Sequence, residues 1–258
     1  AAVERIVDHL VEKAREDGYM GVSGGKMYSH CIATLFLSEI SGMVDPERQA
    51  RIAELLPKAV QIILNAQARE KPPAHQGGWR YEPHSNDSDM SCSGWALMAL
   101  RSSRLNGAPV PRRAAAWRAA GAWAGTFGYQ SPGQYAETLT GAGLLCLELC
   151  GRHGHPATLR AARYLERNYR QLEKVQRKCY GLYYAAQGLF QIGGDPWKTF
   201  AEWMYDYWIP RQAPDGSWRV PGEDACVYYQ TAMMVLAFTV PYRQLPIYQR
   251  DETVDEAE

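Results

Sequence analysis

Apolar residues at the start of the chain fall on one side of a helix. Over residues 2–15, Val3, Ile6, Val7, Leu10, Val11 and Ala14 recur at the three- and four-residue spacing that makes a single stripe. Amphipathic helices of the same kind are predicted near 46–67, 111–124, 156–172 and 196–209. Charges occupy their opposite faces, as Arg160, Arg163, Glu166, Arg167 and Arg170 do in the 156–172 segment. Pro57 is expected to kink or split the 46–67 helix, because proline removes a helical N–H and its ring crowds the preceding turn.

Between these segments lie runs that are apolar or small nearly all round: Met27–Ile40, Met90–Leu100, Leu139–Cys150, Tyr180–Ile192 and Ala225–Val240. A helix without a polar face must be covered on more than one side. Five amphipathic helices alternating with five enclosed ones predict five helical hairpins. The expected fold is therefore all-α, an α/α toroid with an inner and an outer ring of helices. An open α-solenoid is the alternative. Gly42, Gly107, Gly151 and Gly193–Gly194 supply stop signals after the enclosed runs, and Pro46, Pro109, Pro111, Pro156 and Pro196 open the amphipathic helices that follow.

The connections in the other direction repeat a glycine–aromatic turn. The fullest copy is Gln212-Ala-Pro-Asp-Gly-Ser-Trp218. Gln67 opens a loop closing on Gly77-Gly78-Trp79-Arg80-Tyr81, a third copy reads Gly125-Thr-Phe127-Gly128-Tyr129, and a fourth reads Asp17-Gly18-Tyr19-Met20-Gly21. From Gly18 to Gly78 is 60 residues, from Gly78 to Phe127 is 49, and from Phe127 to Gly216 is 89, about twice the period. Such self-similarity marks an array of two-helix units and one continuous body, read as residues 1–250. The acidic stretch 251–258 reads as a disordered tail. A start at Ala1 without methionine suggests a piece of a longer protein, with further repeats or a protein partner beyond it.

Composition narrows the classes of function. Basic and acidic residues number 28 each, so no nucleic-acid footprint is expected. Six cysteines (31, 92, 146, 150, 179 and 226) form no CxxC pair and read as reduced thiols, most of them buried. No run of 18 apolar residues suggests a transmembrane segment and no signal peptide is visible, so the expected location is cytoplasmic. No nucleophile elbow, Walker A or dinucleotide-binding glycine pattern is present.

Chemistry is expected at the first turns of the enclosed helices, which in a toroid share one mouth of the cavity. The residues there are Tyr28, His30 and Cys31; Asp87, Asp89 and Cys92; Tyr135 and Glu137; Cys179, Tyr183 and Tyr184; and Asp224, Cys226 and Tyr229. Asp89, Glu137, His30, Tyr183 and Cys226 are expected to face that mouth together. The competing reading of the acids is as helix N-caps and first-turn carboxylates, which stabilise the positive helix end. His75 and His84 lie in the loop around Gly77 and could rim the cavity. His153 and His155 read as surface groups at a helix end.

These residues also carry a family resemblance covering roughly residues 18–250. Gln212-x-x-Asp215-Gly216-Ser217-Trp218 resembles the QW motif of squalene–hopene cyclases and related terpene cyclases. Gly77-Gly78-Trp79-Arg80-Tyr81 with Asp87-Ser-Asp89-Met-Ser-Cys-Ser-Gly94-Trp95 resembles the prenyltransferase and squalene-oxidase repeat. Tyr183-Tyr184-Ala185 and Tyr242–Gln249 resemble uncharacterised bacterial members of that superfamily. The resemblance implies the toroid fold and, if the chain is an enzyme, points first to a class II terpene cyclase-like reaction. In that family's Asp-x-Asp-Asp motif the middle acid protonates an alkene. Here Asp87-Ser88-Asp89-Met90 keeps the first and middle acids and has methionine for the last. Asp89 is then the candidate acid, supported by Asp87 and Glu137.

The superfamily's zinc-dependent protein prenyltransferases use Asp-x-Cys and a histidine from another inner helix. Asp224-Ala-Cys226 matches the first part, whereas Tyr229-Gln230-Thr231 carries glutamine where the histidine is expected; His30 is the substitute if the ring closes. No cofactor and no zinc are therefore expected, with Asp224, Cys226 and His30 as the ligands should zinc be found.

The eight Trp and 16 Tyr are the broader signal. Most should pack as core. The rest, with Tyr28, His30, Trp95, Tyr135, Tyr183, Tyr184 and Tyr229 as the ligand-binding candidates, would line a cavity suited to an apolar, isoprenoid-like ligand. A peptide- or protein-binding scaffold and a carbohydrate-active toroid, the latter with Asp89, Glu137 or Asp224 as an acid/base pair, are the alternative expectations.

Overall fold

The computed structural model describes residues 2–22, 24–111, 122–123, 125–131, 133–223 and 225–242. Among them are nine α-helices: α1 (Ala2–Lys13), α2 (Lys26–Glu39), α3 (Pro46–Ala68), α4 (Met90–Leu105), α5 (Ala136–Leu149), α6 (Pro156–Asn168), α7 (Lys178–Ile192), α8 (Gly194–Trp208) and α9 (Val227–Thr239). The chain is all-α, and the nine are of the two predicted kinds, which alternate except at α4 and α5, where most of the predicted intervening helix lies outside the described residues. The five enclosed runs are α2, α4, α5, α7 and α9, while α1, α3, α6 and α8 are amphipathic. None of the described helices is long and apolar enough to cross a membrane.

Most of the predicted 111–124 helix and the predicted disordered tail at 251–258 lie outside the described residues. At the end of the former the expectation is corrected. Ala122–Trp123 is a short strand (β1), paired antiparallel with Thr126–Phe127 (β2) in the register Ala122 to Phe127 and Trp123 to Thr126. Gly125 at φ +100 makes the tight reversal between them. Pro57 does not split its helix, since α3 runs unbroken from Pro46 to Ala68. Pro57 and Ala53, whose carbonyl loses its helical donor, both sit on the exposed face, where water can satisfy that group.

The described residues gather into two compact units, one up to residue 111 and one from residue 122. In the first, α2 lies along α4, and α3 packs across both from outside with α1 beside it. Every residue of α4 from Cys92 to Ser103 is buried. The C-terminal ends of α2 and α4 share a buried polar knot. Ser102 Oγ donates to Glu39 and lies 2.9 Å from Ser38 Oγ, which also accepts from Asn106 Nδ2 at 3.3 Å.

In the second unit α5, α7 and α9 lie side by side in that order, with α6 across α5 and α7 and α8 against α7 and α6. Glycines let α5 and α7 approach closely: a Cβ on Gly141 would stand 2.5 Å from the Ala185 backbone nitrogen, and one on Gly188 3.1 Å from the Gly141 carbonyl oxygen. On α6 only Thr158, Ala161, Ala162 and Leu165 are buried, and Arg160, Arg163, Glu166 and Arg167 face water as the pattern predicts. α9 departs from expectation. It is apolar all round, yet Tyr228 is 84% exposed and Val235 45%, because no described element covers that side.

Two of the recurring turns tie the amphipathic helix before them to the enclosed helix after them. The indole N–H of Trp79 donates to the carbonyl of Ile63 in the last turns of α3 at 2.8 Å, and that of Trp218 donates to the Trp208 carbonyl at the end of α8 at 2.9 Å. Their own backbone N–H groups then donate to hydroxyls on the next inner helix, Trp79 to Ser93 Oγ and Trp218 to Thr231 Oγ1, both at 3.1 Å. Phe127 repeats the second bond with Thr140 Oγ1 at 3.2 Å. Gln67 and Gln212 brace the turns by donating to the carbonyls of Gly77 and Gly216.

Trp218 is 5% exposed, so Trp218→Ala is expected to lower stability by about 3–5 kcal/mol. Trp218→Phe keeps most of the burial but leaves the Trp208 carbonyl without its indole donor, for about 1–3 kcal/mol. Urea unfolding measures both, and a neutral alanine variant would show that the turn does not hold the repeat together.

Candidate functional site at the starts of the inner helices

In the first unit the two aspartates converge on one arginine. Asp89 is the N-cap of α4: its Oδ1 accepts the Cys92 backbone N–H at 2.7 Å and its Oδ2 accepts Arg80 Nη1, also at 2.7 Å. Arg80 Nε lies 3.2 Å from Asp87 Oδ2, and its guanidinium stacks over the Tyr81 ring with 4.7 Å to the centroid. The Asp89 carboxylate is fully buried, whereas that of Asp87 is 41% exposed. Burial raises the Asp89 pKa, while the Cys92 amide and Arg80 oppose that rise by binding the charged form. Both Asp89 oxygens are therefore engaged by protein donors. Beside it the Cys92 thiol, like that of Cys31 on α2, is pushed far up by burial, which makes neither a nucleophile.

His30 is wholly buried, and each ring nitrogen has a partner. Nδ1 accepts the Met20 backbone N–H at 3.1 Å, which leaves the proton on Nε2 to donate to the Ala59 carbonyl of α3, also at 3.1 Å. The imidazole thus does in the first turn what a hydroxyl does in the other three, and it also reaches the outer helix. Tyr19 packs on its ring at 5.1 Å. Burial lowers its pKa to about 4. Of the remaining candidates in this unit, Tyr28 meets Trp95 edge to face at 5.9 Å. His75 Nδ1 accepts the Ser88 backbone N–H, a structural role in the loop, and His84 is exposed.

In the second unit, Tyr135 opens α5 in the left-handed region at φ +56, is 62% exposed and lies 6.4 Å from the Tyr129 ring. Glu137 in the same first turn is half-buried, and its charge adds to the burial that raises the Tyr164 pKa. Tyr183 and Tyr184 are core residues, 2% and 0% exposed, in ring contact with each other at 5.0 Å; Tyr184 also contacts Tyr180 at 4.7 Å. Cys226 is the exposed N-cap of α9, and Tyr229 one turn on is half-buried. Gln230 clamps the preceding loop, accepting the Val220 N–H at 2.7 Å and donating to the Ala225 carbonyl at 2.6 Å. Asp224 lies outside the described residues. Among the described residues no group of three His, Cys, Asp or Glu is placed to hold a metal ion.

Two participants were not anticipated. Arg80 organises both aspartates, and its signal was its place inside the turn motif, seven and nine residues before them. Glu223 Oε2 accepts the Cys179 backbone N–H at 3.2 Å and, together with burial, pushes the Cys179 thiol up to about 12. Its separation of 44 residues from Cys179 left no local pattern to read.

The depressed pKa of His30 has a defined pH signature. The unfolded chain takes up this proton near pH 6.5 and the folded protein only near pH 4. The stabilisation is therefore complete above about pH 6.5 and is lost progressively as pH falls towards 4, for a total of about 3 kcal/mol. His30→Gln should be less stable than the wild type at pH 7.5, and that gap should narrow by pH 4.5 in urea unfolding. Parallel pH profiles for the two proteins would refute a histidine held neutral in the core.

No family model matches the chain, and no curated protein or solved structure matches it.

Proposed function

We propose that the chain is a terpene-cyclase- and prenyltransferase-like α/α toroid domain that binds an apolar, isoprenoid-like ligand among aromatic residues at the starts of its inner helices, without acid catalysis at Asp89. The observation that carries this reading is the state of the Asp89 carboxylate: one oxygen caps α4 and the other is bound to Arg80. A proton donor to an alkene must be open towards its substrate, and this carboxylate is buried with both oxygens held by protein donors. The groups left to meet a ligand beside it are rings, with half-buried Tyr28 edge to face with the buried Trp95; the second unit, by itself, presents Tyr135 beside Tyr129 and a half-buried Tyr229. Their faces suit an unsaturated hydrocarbon. The layering of enclosed and amphipathic helices within each unit, together with the QW-like turns, supports the toroid. Both oxygens of Asp89 are held by the Cys92 amide and Arg80, which disfavours the carbohydrate-active alternative in so far as it uses Asp89 in its acid/base pair. The scaffold reading is favoured by a single observation, the uncovered apolar side of α9.

The test is titration with a dansyl-labelled farnesyl chain, read by energy transfer from tryptophan and competed with unlabelled geranylgeraniol. Saturable, competable binding is expected, about tenfold weaker in Tyr28→Ala. Asp89→Asn should lower stability while leaving the affinity of the folded fraction unchanged. Absence of saturable binding by folded wild type would favour the scaffold reading. Conversion of a polyene such as squalene, abolished in Asp89→Asn, would overturn the non-catalytic assignment.

A further inference from the structure

We infer that the first unit carries a second binding site, a groove that accepts a small molecule joining an anionic head, carboxylate or phosphate, to an apolar body. The groove has a volume of about 650 Å3 and lies between the first aromatic turn, the C-terminal half of α3 and the loop at residues 82–84. That volume is within the usual range of small-molecule sites, about 300–1,000 Å3. Its lining includes none of Tyr28, Trp95, Asp87 or Asp89, so the inference does not rest on the function proposed above.

The charge lining the groove is unbalanced once internal pairs are removed. Lys26 Nζ and Glu82 Oε1 are 2.6 Å apart and cancel. Asp17 accepts the Tyr19 backbone N–H through Oδ1 at 2.9 Å and keeps its negative charge, which offsets one arginine. Arg15, just before the turn, and Arg69, at the end of α3, then leave a surplus of one positive charge, and among the described residues neither is in an ion pair. Arg15 is held with its guanidinium over the Tyr19 ring, 4.9 Å from the centroid. A cation at a helix C-terminus commonly serves to neutralise the last carbonyls. On α3, however, Lys71 reaches back to the Ala66 carbonyl at 2.7 Å, and Arg69 is not needed there. Asn65 has its side-chain oxygen occupied by Gln61 Nε2 at 2.8 Å, which leaves its NH2 to donate.

Two guanidiniums and an amide NH2 form a set of donors, the complement of carboxylate or phosphate oxygens. Hydrocarbon makes up another part of the lining. Tyr19, Ile62 and Ala66 form it, and Val22 stands 62% exposed at the rim. Donors and hydrocarbon lining the same groove select an amphiphilic anion over a free ion or a neutral chain.

Calorimetric titration with octyl phosphate, octanoate, 1-octanol and inorganic phosphate tests this, all kept below micelle-forming concentration. At least one of octyl phosphate and octanoate should bind saturably and at least tenfold more tightly than both octanol and inorganic phosphate. Whichever head binds better identifies the anion. The double variant Arg15→Gln/Arg69→Gln should lose at least tenfold in that affinity without a change in melting temperature, because both side chains are exposed. Tyr28→Ala should bind the same probe as the wild type does, which separates this site from the isoprenoid one. Equal binding of octanol and the anionic probes, unchanged affinity in the double variant, or no binding of either anion by the wild type would each overturn the inference.

Discussion

The interaction on which the described structure most depends is the pair of hydrogen bonds made by each of the two tryptophan turns. A tryptophan indole reaches back to a carbonyl near the end of an outer helix, and the same residue's backbone N–H reaches forward to a hydroxyl on the next inner helix. Buried backbone groups left unpaired cost about as much as a lost hydrogen bond, and the aromatic residues of these turns are buried. The aromatic ring therefore excludes water from the junction and its polar atoms satisfy the junction. Phe127 has no indole N–H and makes only the forward bond. Its ring instead seats against Gly143 on α5, where a Cβ would stand 2.0 Å from the phenyl carbon Cγ. The first turn solves the same problem with His30, whose two nitrogens serve the turn and the outer helix together.

This economy gives residues with the look of catalytic groups structural partners. The start of each inner helix must cap its free N–H groups and receive a turn at the same place. Asp89 caps α4, Gln230 clamps the loop before α9, and Glu223 binds the first amide of α7's Cys179. Arg80 then becomes obligatory. A buried carboxylate without a partner costs several kcal/mol, and removing one member of a buried pair strands the other. At the opposite ends of the helices the Ser38–Ser102–Glu39 knot and the Glu148–His153 contact follow the same rule.

Helix type and order could be read from the chain because both depend on periodicity, which is local. The boundaries at Asp45–Pro46 and His155–Pro156 were legible for the same reason: an N-cap side chain and a following proline act within three residues. The competing readings of Asp89 as acid and as cap were not separable, because the decision rested on Arg80 and on burial, neither of which has a periodic signature. His30 was more misleading still. A histidine inside an apolar run looks like a ligand until Met20 and Ala59, 10 and 29 residues away, are seen to occupy both nitrogens. The β1–β2 reversal was hidden because two-residue strands carry too few side chains to alternate.

α9 shows where a pattern ceases to imply a structure. An enclosed sequence states what a helix needs, and whether the need is met depends on neighbours supplied from elsewhere. For α7 they are present: α5 and α9 flank it, α6 and α8 cover it, and every residue from Cys179 to Leu189 is buried. α9 has α7 on one side and is followed by Val240–Tyr242, in which Tyr242 is 70% exposed. From Cys226 to Tyr242 there is no charged residue, so Tyr228 and Val235 meet water without the lysine or glutamate that usually shares an exposed helical face. The indole and hydroxyl bonds of the Trp218 turn fix this helix at its start. They contribute nothing along its length, where the exposed hydrocarbon lies, and so the same rule that makes the other inner helices the most enclosed parts of their units leaves α9 the least satisfied of the five.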